Sequence, residues 1–130
     1  MTTATATTTA TVADELVALC RAGRNMDAIN SFYSPDIVSV ESMGNEAMPR
    51  EMKGIDAIRG KNQWWYENNE VHAAVVDGPF VGDDKFAVYY NFDATFKPTG
   101  KRNSMEEMAL YTVKDGKIVR EQFFYRTTDL

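Results

Sequence analysis

The residues of this chain best suited to acid/base chemistry are three carboxylates, two phenols and an imidazole: Glu41, Glu107, Glu121, Tyr111, Tyr125 and His72. Glu107 precedes Tyr111 by four positions, and Glu121 precedes Tyr125 by four, within runs of β-branched and aromatic residues. Side chains alternate across a strand, so each pair shares one face. A carboxyl group among apolar neighbours is desolvated, its pKa rises, and it becomes an acid or base of use near neutral pH. A phenol beside it can donate a hydrogen bond to a carbonyl or enolate oxygen. The structural alternative is that Glu107 and Glu121 pair across strands with Arg102, Arg120 or Arg126. His72, the single histidine, is either a general base or an imidazole held by an ordinary hydrogen bond. Trp64, Trp65, Asn91, Asp93 and Phe123 are the candidates for lining a ligand site.

The elements that must position these groups follow from periodicity. Lys114-Asp115-Gly116 separates two strand-like runs and predicts a hairpin, read as a type I turn with Gly116 in a bulge. That turn sets Val113 opposite Lys117 and pairs Tyr111 with Val119, Ala109 with Glu121, Glu107 with Phe123 and Met105 with Tyr125. The other face then carries Met108, Leu110, Ile118 and Phe124 among polar residues. Two further strands, 71–81 and 85–97, precede the 103–113 and 117–127 pair. The turn at Lys97-Pro98-Thr99-Gly100 leaves two registers open: Tyr89, Asn91 and Asp93 share the face of Glu107, or Tyr90 and Phe92 do. The first makes a polar cluster, in which Asp93 and a second carboxylate could activate a water; the second makes an apolar pocket with an isolated acid.

Upstream, residues 1–11 are almost wholly Thr and Ala and read as a mobile tail, leaving 12–130 as a single domain. Thr11 with Asp14 predicts the start of a helix with Val12, Leu16, Leu19 and Cys20 on its apolar stripe, ending near Gly23. Asn25 is read as the cap of a short helix over 26–33, residues 36–42 as a strand, 45–53 as a loop, and 54–68 as a third helix with Ile55, Ile58 and Trp65 inward. Met43, Met48 and Met52 would suit a flexible lid near Glu41. Helices first and an antiparallel meander afterwards is the α+β pattern, with helices packed on one face of a curved sheet.

Composition narrows the function. A net charge of -5, with Lys and Arg scattered, argues against nucleic acid or an anionic membrane as partner. One cysteine and one histidine leave no intrachain disulfide and too few soft ligands for a structural zinc site. No run approaches membrane-spanning length, and no basic-plus-apolar leader is visible. A cytoplasmic setting without a cofactor is expected.

Four stretches carry a family resemblance: Arg21-Ala22-Gly23 with Met26-Asp27 and Phe32-Tyr33, Gly54-Ile55-Asp56-Ala57-Ile58-Arg59, Pro98-Thr99-Gly100-Lys101-Arg102, and Tyr111 through Val119. Together they resemble the SnoaL-like and ketosteroid-isomerase-like branch of the nuclear transport factor 2-like superfamily. The resemblance implies a cone-shaped fold with three N-terminal helices on a curved, mostly antiparallel sheet. It also implies a largely apolar internal pocket and a homodimer formed through the outer sheet face. Ketosteroid isomerase combines a carboxylate base with a tyrosine and a protonated acid. Glu41 falls at the base position, but Leu16 stands where the tyrosine belongs, and Ala109 or Met108 where the acid belongs. The expected ligand is a small apolar molecule with a carbonyl or hydroxyl. The expected chemistry, if any, is cofactor-independent isomerisation, cyclisation or dehydration, and the alternative is a non-catalytic dimeric binding or association domain.

Overall fold

Thr8 takes an extended backbone, and its Oγ1 accepts a hydrogen bond from the Thr11 amide at 3.1 Å, so the first helix, α1, runs Thr9–Arg21. The cap therefore lies three residues before the expected one, and α1 takes in residues 9–11 of the expected tail. The computed structural model describes residues 8–127, and residues 1–7 of that tail lie outside them. Val12, Ala13, Leu16, Val17 and Cys20 form the buried stripe. Gly23, at φ 74°, closes the helix: its amide bonds the Cys20 carbonyl and that of Arg24 bonds Leu19.

There follow α2 (Asn25–Phe32), β1 (Tyr33–Val40), β2 (Glu51–Lys53), α3 (Ile55–Asn68), β3 (Asn69–Val81), β4 (Lys85–Phe96), β5 (Lys101–Lys114) and β6 (Lys117–Phe124). Arg24, not Asn25, is the cap residue of α2, and Tyr33 opens β1 rather than closing the helix. The short β2 pairs antiparallel with β1 inside the stretch expected to be loop. Glu51-Met52-Lys53 alternates with only Met52 turned toward the core, and three residues are too short a run to read as a strand. The sheet order is β2-β1-β6-β5-β4-β3, with β1 parallel to β6 and the other neighbours antiparallel. The three helices and the open sheet make the expected α+β fold, and the core lies between α1, α3 and the inner sheet face.

The hairpin register differs from expectation. Asp115 at φ 52° and Gly116 at φ 76° are both left-handed, which makes a two-residue primed turn closing Lys114 on Lys117. A bulge at Val119 then separates the Val113–Ile118 pair from Thr112–Arg120, so Tyr111 faces Glu121 and Ala109 faces Phe123. The slip from the expected pairing is two residues, an even number, so Glu107, Tyr111, Glu121 and Tyr125 still belong to one face. Ile118, expected outward, precedes the bulge and is fully buried with Val113. Between β4 and β5 the pairs are Tyr90–Glu107 and Phe92–Met105, which is the second of the two registers left open by the sequence.

Candidate functional site

Glu121 reaches the inner face from β6 and is 2% exposed. It accepts hydrogen bonds from the Tyr33 phenol and from Ser39 Oγ at 2.8 Å, both on the neighbouring parallel strand β1. Lys61 enters from α3. Its Nζ donates to Ser39 Oγ at 2.7 Å and to Glu41 Oε1 at 3.0 Å, lies 4.0 Å from Glu121 Oε1, and sits 5.3 Å from the centre of the Phe123 ring. One ammonium thus serves two carboxylates. Burial pushes the Glu121 carboxyl up, against the downward pull of Lys61, Tyr33 and Ser39. Tyr125, just past the end of β6, donates its phenol to Glu41, and its pKa is pushed up to about 12, first by burial and then by the Glu41 charge.

Glu107 differs from the other two carboxylates. Among the described residues no hydrogen bond or ion pair reaches it, and burial, with the Glu41 and Glu121 charges, pushes its pKa up to about 8 against the opposing Lys61. The neutral form is thus favoured near neutral pH, and in that form the carboxyl can donate a hydrogen bond. Tyr66 on α3 is close enough to feel Glu107, and burial pushes its own pKa up to about 12. Deeper in, Tyr90 and Tyr111 share a 2.8 Å hydrogen bond, and Cys20 Sγ lies 3.8 Å from Tyr90. Burial raises both phenols well above their ordinary value and moves the thiol to about 11, so this inner chain is uncharged.

The walls are aromatic. Trp65 packs on Phe92 at 5.2 Å and edge-on to Tyr66 at 5.0 Å, and Phe92 stacks on Tyr90 at 5.8 Å. Where β6 ends, an open groove of about 570 Å³ is lined by Tyr89, Glu106, Glu107, Met108, Phe124, Tyr125 and Arg126.

Glu41, Glu107, Tyr111, Glu121, Phe123, Tyr125 and Trp65 are therefore gathered on the helix-covered face or at its mouth. Trp64 turns away, 43% exposed, toward Phe96. Asn91 and Asp93 lie on the other sheet face. Asn91 accepts from Ser104 at 3.0 Å, and the Arg102 guanidinium grips Asp93 at 2.8 and 2.9 Å, holding its carboxyl below the usual range. The polar cluster of Asn91 and Asp93 with Glu107 does not form, nor does the water site that needed Asp93. His72 is exposed and bonds Thr95 Oγ1 at 2.7 Å, away from the carboxylates. Lys61, Ser39, Tyr33 and Tyr66 are additions that the sequence reading missed, whereas Tyr90 belongs to the second of its two registers. For Lys61 the signal was present: it lies three residues after Ile58 and four before Trp65, a lysine on the apolar stripe of a helix. Ser39 likewise alternates with Glu41. Among the described residues no cluster of His, Cys, Asp and Glu is arranged to hold a metal, and no helix is long and apolar enough to cross a membrane.

Three helices on an open, mostly antiparallel sheet make the cystatin-like, or nuclear transport factor 2-like, α+β fold. Within it, residues 7–125 match the model of the SnoaL-like domain, and the chain belongs to that family. A candidate SnoaL-like polyketide cyclase from Mesorhizobium loti is 43% identical, with a TM-score of 0.84 over 89% of this chain and 97% of that one. A protein of unknown function with a cystatin-like fold from Xanthomonas campestris superposes at 0.74 with 18% identity, covering 94% of this chain and 93% of that one. A candidate isomerase from Bacillus subtilis superposes at 0.72 with 13% identity, covering 90% and 85%. The latter two speak for the fold alone. No curated protein matches the sequence significantly.

Proposed function

We propose that this SnoaL-like protein binds a small, largely apolar molecule carrying a carbonyl or hydroxyl, and acts on it by cofactor-independent acid/base chemistry of the isomerase, cyclase or dehydratase kind. The observation that carries this reading is Glu107: a carboxyl whose pKa is pushed up to about 8 by burial and the Glu41 and Glu121 charges, reached by no hydrogen bond or ion pair among the described residues, at the mouth of an aromatic-walled site that also holds the Glu41–Lys61 pair. Glu107 donates to the ligand oxygen as charge develops there, and Glu41, aimed by Lys61 and Tyr125, takes up or relays the proton. Tyr111 and Glu121 set the inner polar floor. The likeness to a candidate polyketide cyclase at 43% identity supports the ligand class. The outer face, with Val75, Met108 and Phe124 each more than 40% exposed, is the surface through which we expect two copies to pair.

The test is exchange of the α-protons of a probe ketone, 2-indanone, in D2O, followed by NMR. The wild-type chain should accelerate exchange over buffer, and Glu107→Gln and Glu41→Gln should each lose at least about tenfold, the low side of what acid/base groups contribute. Equal rates in wild type, both variants and buffer would sink the catalytic reading. A second reading, a non-catalytic binding or association domain, is favoured by the resemblance to ketosteroid isomerase, which puts Leu16, and Ala109 or Met108, where that enzyme carries its hydrogen-bond donors; Leu16 and Ala109 are buried and all three are apolar. Binding of the ketone without any exchange would select it.

A further inference from the structure

Ser39 is fully buried on the inner sheet face, and no step of the acid/base chemistry above uses it. A hydroxyl has one proton to give and two lone pairs to receive. The Lys61 ammonium can only donate, and its Nζ lies 2.7 Å from Ser39 Oγ, so Ser39 accepts there. The Ser39 proton therefore goes to Glu121 Oε1 at 2.8 Å. Tyr33 bonds the other oxygen of that carboxyl, so a proton carried by Glu121 would sit on the Tyr33 side and leave the Ser39 bond as it is. The chain from Lys61 through Ser39 to Glu121 thus keeps its direction in both charge states of Glu121.

The backbone builds this chain in. Ser39 and Glu121 are direct partners in the parallel pairing of β1 with β6, and Glu41 follows Ser39 by two residues. The Glu41 main chain is pinned by Arg50, whose carbonyl accepts its amide at 2.8 Å and whose Nε donates to its carbonyl at 2.9 Å. Its carboxylate is left to Lys61 and Tyr125. Two carboxylates compete for Lys61 on unequal terms: the Glu121 side chain is 2% exposed and that of Glu41 22%, so water screens the pull of Glu41 more. Yet Nζ stands 3.0 Å from Glu41 and 4.0 Å from Glu121. The Ser39 hydroxyl, bonded to the ammonium and to Glu121 at once, is what keeps those two apart.

We propose that Ser39 is a positioning residue, a role that rests on the acid/base reading above: it spaces the Lys61 ammonium from Glu121, holds it against Glu41, and so fixes the carboxylate that takes the ligand's proton. Ser39→Ala removes the spacer and little else. Lys61 then closes on Glu121, whose ionised form that contact favours, and Glu41 loses its guide.

The experiment pairs a crystal structure of Ser39→Ala with the 2-indanone exchange assay. In the variant, Lys61 Nζ should lie about 3 Å from Glu121 and outside hydrogen-bond range of Glu41. The kcat for exchange, per folded chain, should fall at least about tenfold with KM within about twofold, since an ångström of misplacement costs up to about a hundredfold. Ser39→Thr keeps the hydroxyl and should return Nζ to Glu41 and kcat to within about threefold of wild type. Lys61 staying on Glu41 in Ser39→Ala overturns the inference, as does an unchanged kcat; exchange by wild type above buffer then leaves the acid/base reading standing. A kcat that stays low in Ser39→Thr with Nζ back on Glu41 overturns the link between tether and rate. If wild type and buffer exchange alike, the acid/base reading falls and takes the role of Ser39 with it.

Discussion

Removing the ionisable proton from Glu107 should change how stability depends on pH, by an amount that follows from its surroundings. The carboxyl has an ordinary pKa of 4.5 and a folded value of about 8, raised by burial and by Glu41 and Glu121. Between these values the folded chain holds a proton that the unfolded chain has lost, so stability falls as pH rises. The contribution is fully present below 4.5 and gone above 8. Integrating the linkage relation from pH 5.5 to 8.5 gives a loss of about 3 kcal/mol from this one group, and contact with groove water brings the expected range to about 1–3 kcal/mol. Glu107→Gln keeps the shape and cannot ionise. Urea unfolding of both chains at pH 5.5, 7.0 and 8.5 should show the variant gaining on wild type by that range as pH rises, with the steepest change below pH 8. Parallel profiles would refute the reasoning, because they would mean that Glu107 ionises in the fold as easily as in the open chain.

Two other perturbations test the frame around it. Lys61→Met strips the shared ammonium from Glu41 and Glu121 and should cost about 3–5 kcal/mol at pH 7, as for a broken buried pair, with part recovered on adding Glu121→Gln; urea midpoints report both. In the loop after β1, a Cβ on Gly44 would sit 2.1 Å from the Arg50 amide nitrogen. Gly44→Ala should therefore open the loop, lower the unfolding free energy by about 1–3 kcal/mol, and speed amide exchange at Glu41, whose N–H bonds the Arg50 carbonyl at 2.8 Å.

The fold was legible because periodicity and turn residues are local. The apolar stripe of α1, Gly23 after it, the glycine-marked turns and the alternation of β5 and β6 each follow from neighbours in the chain. What depends on two distant backbones was harder. Asp115 accepts a left-handed conformation at little cost, which turned an expected bulged loop into a two-residue turn and moved the bulge to Val119. The even slip spared the grouping of Glu107, Tyr111, Glu121 and Tyr125, while the β4 register placed Asn91 and Asp93 on the far side. Asp93 then found Arg102, nine residues on in sequence, and no local pattern announces that partner. Lys61 was readable as a charge on an apolar stripe; its pairing with Ser39 and Glu41 required the packing of α3 on β1.

The strands of the last hairpin are unequal: β5 runs fourteen residues and β6 eight. Their pairing ends at Met108 with Phe124, and the Tyr125 amide turns instead to Ser42 Oγ at 3.1 Å, which is itself bonded to the Phe123 carbonyl. Glu107 is the first residue past that stop. A hydroxyl on the segment after β1 thus takes over the Tyr125 amide where the β5–β6 ladder ends and carries the chain away from β5. Shifting that crossing point by a residue or two would change how much of Glu107 the ladder covers while leaving the hydrophobic centre, and with it most of the folding free energy, untouched.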